Sequence, residues 1–361
     1  MKRACRGGNH GRIAKRTWVW YFHLAKTHAS ESLMRRRDFA LLVLGGMAMT
    51  PLRSHAQRSP QKLPRIGVLI PGTAASFSQR VKAFVDGLSE LGRVEGQTIA
   101  IEWKWANDRV DLLPVLATEL VQSQVDVIVT GGTPAAQALK AATRSIPLVV
   151  AIMADPVAAG LVENLARPGG NTTGFSIVAP ELGAKRLQLL KEIVPTMSSV
   201  AVLMNASNPQ SQIEFKEMSA AASAMGLRLH PIEVSTRDGL EDAFAAMSKT
   251  AAQALIVLTD PVLFSERKPT VDLASKYRLP AVYPFQGYVE DGGLVSYGPS
   301  DADLFRRAAG YVDRILKGTK PGELPVEQPI KFDMYVNLNT ARALGVTVPE
   351  LFLTRADKVI E

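Results

Sequence analysis

From Arg65 onward, short apolar runs rich in β-branched residues alternate with longer segments whose apolar residues recur at helical spacing, and the whole alternation is carried through twice. Residues 65–70, 98–103, 125–130 and 146–151 read as strands, with helices predicted over 76–92, 110–123 and 135–143. Thr172-Thr173-Gly174-Phe175-Ser176 follows the turn signal Pro168-Gly169-Gly170-Asn171. The order restarts at Ser198, with strands predicted at 200–205, 227–234, 254–259 and 279–283 and helices at 208–225, 237–249 and 262–277. Such alternation requires parallel sheets joined by right-handed crossovers. The expected fold is therefore α/β, with two doubly wound parallel-sheet lobes. A tail remains: strands at 292–298 and 324–330 and helices at 300–318 and 337–344. If it crosses between the lobes it makes a multi-stranded hinge. The expected division is 62–174 with 288–318 for the first lobe, and 175–287 with 324–345 for the second.

One junction stands out. The strand Val125 to Thr130 stops at Gly131-Gly132, and Thr133-Pro134 opens an alanine-rich helix. Thr133 is expected as N-cap and Pro134 at the first helical position. A junction of this kind offers backbone N–H groups at the carboxyl end of a strand, where open α/β sheets bind ligands. It equally serves as a plain connection. The stretch has neither the spacing of a dinucleotide fingerprint nor a phosphate-binding Lys-Ser/Thr. Gly132→Val is expected to weaken ligand binding while leaving the stability of the ligand-free protein largely intact.

The formal charge of +8 suggests a nucleic-acid partner until it is located along the chain. Residues 1–56 hold eleven of the 42 Lys and Arg but two of the 34 acids, so residues 57–361 carry 31 basic against 32 acidic side chains. The body of the protein is near neutral, and no nucleic-acid partner is expected. Met34-Arg35-Arg36-Arg37-Asp38-Phe39, the apolar run Ala40 to Met49 and the small-x-small site Ser54-His55-Ala56 form a twin-arginine-like export signal over 34–56, cleaved near Ala56. The apolar run is short of the ~20 residues that span a bilayer. Residues 1–33 read as a disordered upstream extension. Cys5 and four of the five histidines lie before the cut, which leaves His230 alone in the mature chain. That composition excludes a disulfide scaffold, a Cys nucleophile and a Cys/His zinc cluster. No metal or other cofactor and no catalytic residue is expected.

The export leader, the twin lobes and a series of short motifs together resemble the substrate-binding proteins of ABC transporters, in particular the tryptophan/tyrosine-type group. The motifs are Val129 to Pro134, Ala154-Asp155-Pro156, Gly174-Phe175-Ser176, Thr259-Asp260-Pro261, Tyr288 to Gly298 and Asn337 to Gly345. The resemblance covers residues 62–361. It implies a type I periplasmic-binding-protein fold, a clamshell that closes around one small molecule and presents the closed form to an ABC permease in the inner membrane. It implies a periplasmic, monomeric protein that is not an enzyme and whose ligand is an amino acid or aromatic compound. A periplasmic ligand-sensing module for a membrane receptor uses the same clamshell, and an enzyme on this scaffold is the remaining alternative.

Strand ends that would face the cleft supply the candidate ligand contacts: Thr73, Ser76, Gly132, Thr133, Asp155, Phe175, Ser176, Asn205, Asp260, Phe285 and Tyr288. Hydroxyls and backbone N–H groups suit a carboxylate, Asp155 or Asp260 an ammonium, and the aromatic residues an apolar wall. The two Asp-Pro steps are also ordinary helix starts. Phe175 lies on a strand, where core packing competes with ligand contact.

Overall fold

The computed structural model describes residues 62–177 and 179–361. The expected upstream extension (1–33) and export signal (34–56) lie outside the described residues.

In the first lobe, β1 (Arg65–Ile70) pairs with β2 (Ala100–Trp105) on one side and β3 (Val127–Thr130) on the other. Next come β4 (Leu148–Met153) and β5 (Thr172–Ser176), giving a five-stranded parallel sheet of order β2-β1-β3-β4-β5. The two-residue period of a strand divides its core in two. Ile66, Val68, Ile70, Val127 and Val129 pack with Phe84 and Leu88 of α1 (Ser78–Glu90). Leu69 and Ile128 pack on the opposite face with Leu113, Ala117 and Leu120 of α2 (Leu113–Gln122) and Leu139 of α3 (Thr133–Ala142). Coverage on both faces is why these strands read as unbroken apolar runs.

The second lobe is built on a seven-stranded sheet of order β12-β11-β10-β9-β8-β6-β7. Its central strands are β6 (Ser199–Met204), β8 (Ala254–Val257), β9 (Ala281–Tyr283) and β10 (Val295–Gly298), with β7 (Arg228–Glu233) at one edge. The covering helices are α4 (Ala179–Ile193), α5 (Pro209–Ala224), α6 (Leu240–Met247), α7 (Pro261–Ser265), α8 (Arg267–Lys276) and α9 (Gln286–Glu290). The helix expected over 262–277 is split, with α7 ending at Ser265. Pro269, four residues on, has no N–H for the Ser265 carbonyl and its ring crowds that position.

The tail follows a different path from the one expected. Residues 288–298 belong to the second lobe, because β10 pairs with β9 and, antiparallel, with β11 (Asp333–Asn337). The chain then returns to the first lobe as α10 (Asp301–Leu316), which packs along α1 and across β4. The ion pairs Arg80–Asp301 (2.7 Å) and Arg93–Asp313 (2.9 Å) fasten it there. Residues 324–330, expected as a strand, make only an isolated bridge between Glu327 and Phe175. Pro325 and Pro329 remove the donors a ladder would need. The segment belongs to the first lobe and not, as expected, to the second: Thr173 Oγ1 donates to the Leu324 carbonyl (2.7 Å) and Glu327 N to the Gly174 carbonyl (3.0 Å). β11, α11 (Leu338–Leu344), α12 (Glu350–Leu353) and β12 (Lys358–Ile360) then complete the second lobe. The chain thus passes between the sheets after β5, after β10 and before β11, which makes the hinge multi-stranded. Among the described residues, no helix is long and apolar enough to cross a membrane.

At the bulge between β4 and β5, Gly174 has φ +140° and a Cβ there would lie 2.0 Å from the Val150 carbonyl oxygen. Gly174→Ala combines a strained backbone with a backbone clash at the strand that feeds the hinge. It is expected to destabilise the protein by about 3 kcal/mol or more. A thermal melt of the variant within a degree of the native curve would contradict this account.

Candidate functional site

The carboxyl ends of the strands in both sheets open onto one cleft. From the first lobe it is lined by Gly131, Gly132 and Thr133 after β3, by Ile152, Met153 and Ala154 around the end of β4, by Ile177 after β5, and by Arg80 of α1. From the second lobe come Asn208 and Gln210 at the start of α5, Thr259, Asp260 and Pro261 after β8, and Phe285 after β9. Parallel sheets place ligands here because strand carboxyl ends and helix amino ends coincide.

Arg80 is buried, at 5% exposure. Its Nε donates to Asp301 Oδ2 at 2.7 Å, while its Nη2 has no hydrogen-bond partner among the described residues. The guanidinium lies 3.3 Å from the ring centroid of Phe264, 5.0 Å from that of Phe285 and 4.8 Å from that of Phe77. Two of these rings belong to the second lobe, so this cation-π cluster spans the cleft. Burial pulls the guanidinium below its ordinary pKa, and the Asp301 carboxylate opposes that shift.

Asp260 faces Arg80's lobe from the other side, yet its carboxylate is already engaged. Oδ1 accepts from Val262 N (2.8 Å) and Leu263 N (3.1 Å), capping α7. Oδ2 accepts from Asn205 Nδ2 (3.0 Å) and Asn208 Nδ2 (2.9 Å). A carboxylate has about four lone-pair sites, and here all are taken. Burial raises the Asp260 pKa against the pull of these donors. Behind it, Arg186 Nη1 meets Glu214 Oε1 at 3.3 Å, both fully enclosed, and Arg186 Nε donates to the Tyr297 carbonyl at 2.9 Å. Burial pushes Glu214 up to about 7 despite Arg186.

Of the residues expected at the site, Gly132, Thr133, Asp260 and Phe285 line the cavity. The others lie outside the lining. Thr73 and Ser76 bond each other, Thr73 Oγ1 to Ser76 Oγ at 2.9 Å, at the rim of the cleft. There Ser76 Oγ reaches Ser265 Oγ (3.0 Å) and the Ser76 carbonyl accepts from Arg267 Nη1 (3.1 Å), contacts that join the two lobes. Asp155 caps its own turn, with Oδ1 accepting from Val157 N and Ala158 N at 3.0 Å each. Phe175 points into the first-lobe core, 4.9 Å from the Tyr311 ring, and Ser176 Oγ donates to the Ala154 carbonyl at 2.8 Å. Asn205 acts through Asp260. Tyr288 is fully buried and stacked on Tyr283 at 4.8 Å, and burial raises its pKa well above the ordinary value. Thr133 is not the N-cap: Gly132 holds that position, and Thr133 Oγ1 instead accepts from Ala154 N at 3.2 Å. The ammonium role expected for Asp155 or Asp260 therefore finds no uncommitted carboxylate in the lining.

Sequence reasoning passed over Arg80, Asn208 and Gln210. The signal for Arg80 was present, since it falls three residues after Phe77 and four before Phe84 on the buried face of α1. Asn208-Pro209 is likewise a helix-start signature.

A family model described as ABC transporter substrate binding protein matches residues 65–360. The chain belongs to the ABC transporter substrate-binding protein family. A curated relative, named tyrosine-binding protein, from Clostridioides difficile (strain R20291), is 27% identical over 286 residues, covering 79% of this chain and 82% of that protein. Among solved structures, the ABC domain from Streptococcus pneumoniae in complex with L-Trp superposes with a TM-score of 0.75 at 29% identity, covering 82% of this chain and 100% of that one. The ligand-free, open structure of a Clostridium difficile substrate-binding protein with adhesive properties gives 0.59 at 26% identity, with 82% and 99% covered. At similar identity and coverage, this member of the family superposes better on the L-Trp complex than on the open form. The direct contacts across its cleft accord with that.

Gly132 stands at one of those contacts. It has φ +107°, and a Cβ there would lie 2.7 Å from Pro261 Cγ of the opposite lobe. The expectation that substitution spares stability is thus corrected, because the backbone itself is strained for any side chain. Gly132→Ala is expected to lower stability by about 1–2 kcal/mol and, by propping the lobes apart, to weaken ligand binding at least about tenfold. Melting curves and calorimetric titration check the two effects separately; native affinity in the variant would refute the interlobe contact.

Proposed function

We propose that this protein is the periplasmic solute-binding component of an ABC importer, which closes around one small carboxylate-bearing molecule of the amino-acid or aromatic class and delivers it to an inner-membrane permease. One observation carries the proposal: a single cavity lined from both lobes at strand carboxyl ends, with an interlobe cation beside an apolar wall of Ile152, Met153, Ile177 and Phe285. A ligand touching both lobes favours the closed arrangement through the contacts it makes only there. The export signal expected at 34–56 supports a periplasmic location, and the hinge supports the clamshell closure by which such a protein can signal occupancy to a permease. The names of the relatives, a tyrosine-binding protein and an L-Trp complex, support the ligand class. The cavity residues serve as binding groups, and the Asp260 carboxylate among them is already engaged by four donors.

The test is thermal denaturation of the purified full chain with L-tyrosine, L-tryptophan and control sugars. Ligand at 100 times its Kd adds about 2.7 kcal/mol to stability, so a rise in Tm of roughly 5 °C is expected for one class alone. Sugars raising Tm while amino acids and aromatic acids do nothing would contradict the ligand class.

A further inference from the structure

Building on the solute-binding reading of the cavity, we propose that Arg80 reads the carboxylate of the ligand and that the site does not require the ligand to carry a protonated amine. The inference starts from the charged groups in the lining. Among the described residues that line the cavity, the only ones with formal charge are Arg80 and Asp260. Asp260 has each carboxylate oxygen occupied by two donors. Arg80 is the reverse case, a buried cation with one N–H paired to Asp301 and an enclosed Nη2 without a hydrogen-bond partner among the described residues. Leaving a buried donor unpaired is unfavourable, and a carboxylate meeting it removes that cost with a charge-assisted bond. The Asp301 pair and the rings of Phe77 and Phe264 hold the guanidinium in place, so little side-chain freedom is lost when a ligand arrives.

The groups left for the rest of the ligand are neutral. The side chains of Gln210 and Thr259 line the cavity and make no hydrogen bond among the described residues. An amide and a hydroxyl can each donate or accept, so they serve an amine, a hydroxyl or a keto oxygen alike. An uncommitted carboxylate is the strongest partner for an ammonium, and this lining has none. The geometry therefore points to a monocarboxylate with an apolar or aromatic tail, whether α-amino, α-hydroxy or α-keto.

Calorimetric titration of the full chain with L-tyrosine, 4-hydroxyphenyllactate, 4-hydroxyphenylpyruvate and tyramine tests this. The hydroxy and keto acids are expected to bind within about tenfold of tyrosine, and tyramine at least about 100-fold more weakly, the usual gap when a buried donor loses its partner. Arg80→Gln is expected to weaken the three carboxylates by about 100-fold more than it weakens tyramine, with Arg80→Lys in between. The proposal is overturned if tyrosine binds more than about 100-fold tighter than both deaminated acids, if tyramine matches tyrosine, or if both Arg80 variants bind like the native protein. Tight, amine-dependent binding of tyrosine would remove this inference alone and leave the solute-receptor reading standing. Failure of every carboxylate to bind would remove both. The analogue series on the native chain decides the matter even where a variant fails to fold.

Discussion

A buried guanidinium holds this architecture to a narrow set of arrangements. Arg80 sits on the first helix of the first lobe, pairs with Asp301 on the helix that returns from the second lobe, and lies 3.3 Å from a second-lobe ring. Desolvating such a group costs several kcal/mol unless every contact is in place. Its partners Asp301 and Phe264 lie on segments distant in sequence, α10 and α7, so one cation ties the returning tail to the first lobe and the first lobe to the second. Were α10 to pack elsewhere, Arg80 would be buried without its counter-ion. The direction of the tail at the hinge is thereby linked to the chemistry of the cleft.

The second lobe answers with a fixed acceptor. Asp260 follows β8 and caps α7, and Asn205 and Asn208, from the loop after β6, close on its other oxygen. The carboxylate thus fixes two strand ends relative to each other. Arg186 and Glu214 extend this polar layer, and the Arg186 Nε bond to the Tyr297 carbonyl reaches β10, the strand from which the chain leaves for the first lobe. Cleft and hinge share one buried polar scaffold in this lobe, as far as the described residues extend. Rigid lobes with mobility concentrated in the crossing segments are what closure around a ligand requires.

Much of the fold was legible because its signals are local. The strands around Ile66, Val129, Val202 and Ile256 are apolar runs buried on both faces, and α1 shows its periodicity through Phe84 and Leu88. The tail was less legible. Residues 324–330 look like a strand by composition, but Pro325 and Pro329 limit them to one bridge, while β11 and β12 gain their identity from neighbours distant in sequence. The site divides in the same way. Gly132, Thr133, Asp260 and Phe285 sit on strand ends that any parallel sheet would turn toward a cleft. Phe175 and Tyr288 were drawn into cores because an aromatic side chain gains more from burial than from facing a polar cleft. Arg80 was missed because an arginine on an amphipathic helix is ordinarily solvent-facing, and only Asp301, more than 200 residues away, makes its burial tolerable.

The central claim is that the contacts across the cleft belong to a closed state that a ligand stabilises. The direct measurement is the interlobe distance, read by pulsed spin-label spectroscopy on full-length protein carrying Val115→Cys and Lys276→Cys in a Cys5→Ser background. Both labelled positions are exposed, one on each lobe. With a ligand that raises Tm, the distance distribution should narrow and shift away from that of the ligand-free protein. A distribution that stays the same at saturating ligand would contradict closure and leave the cavity as a fixed pocket.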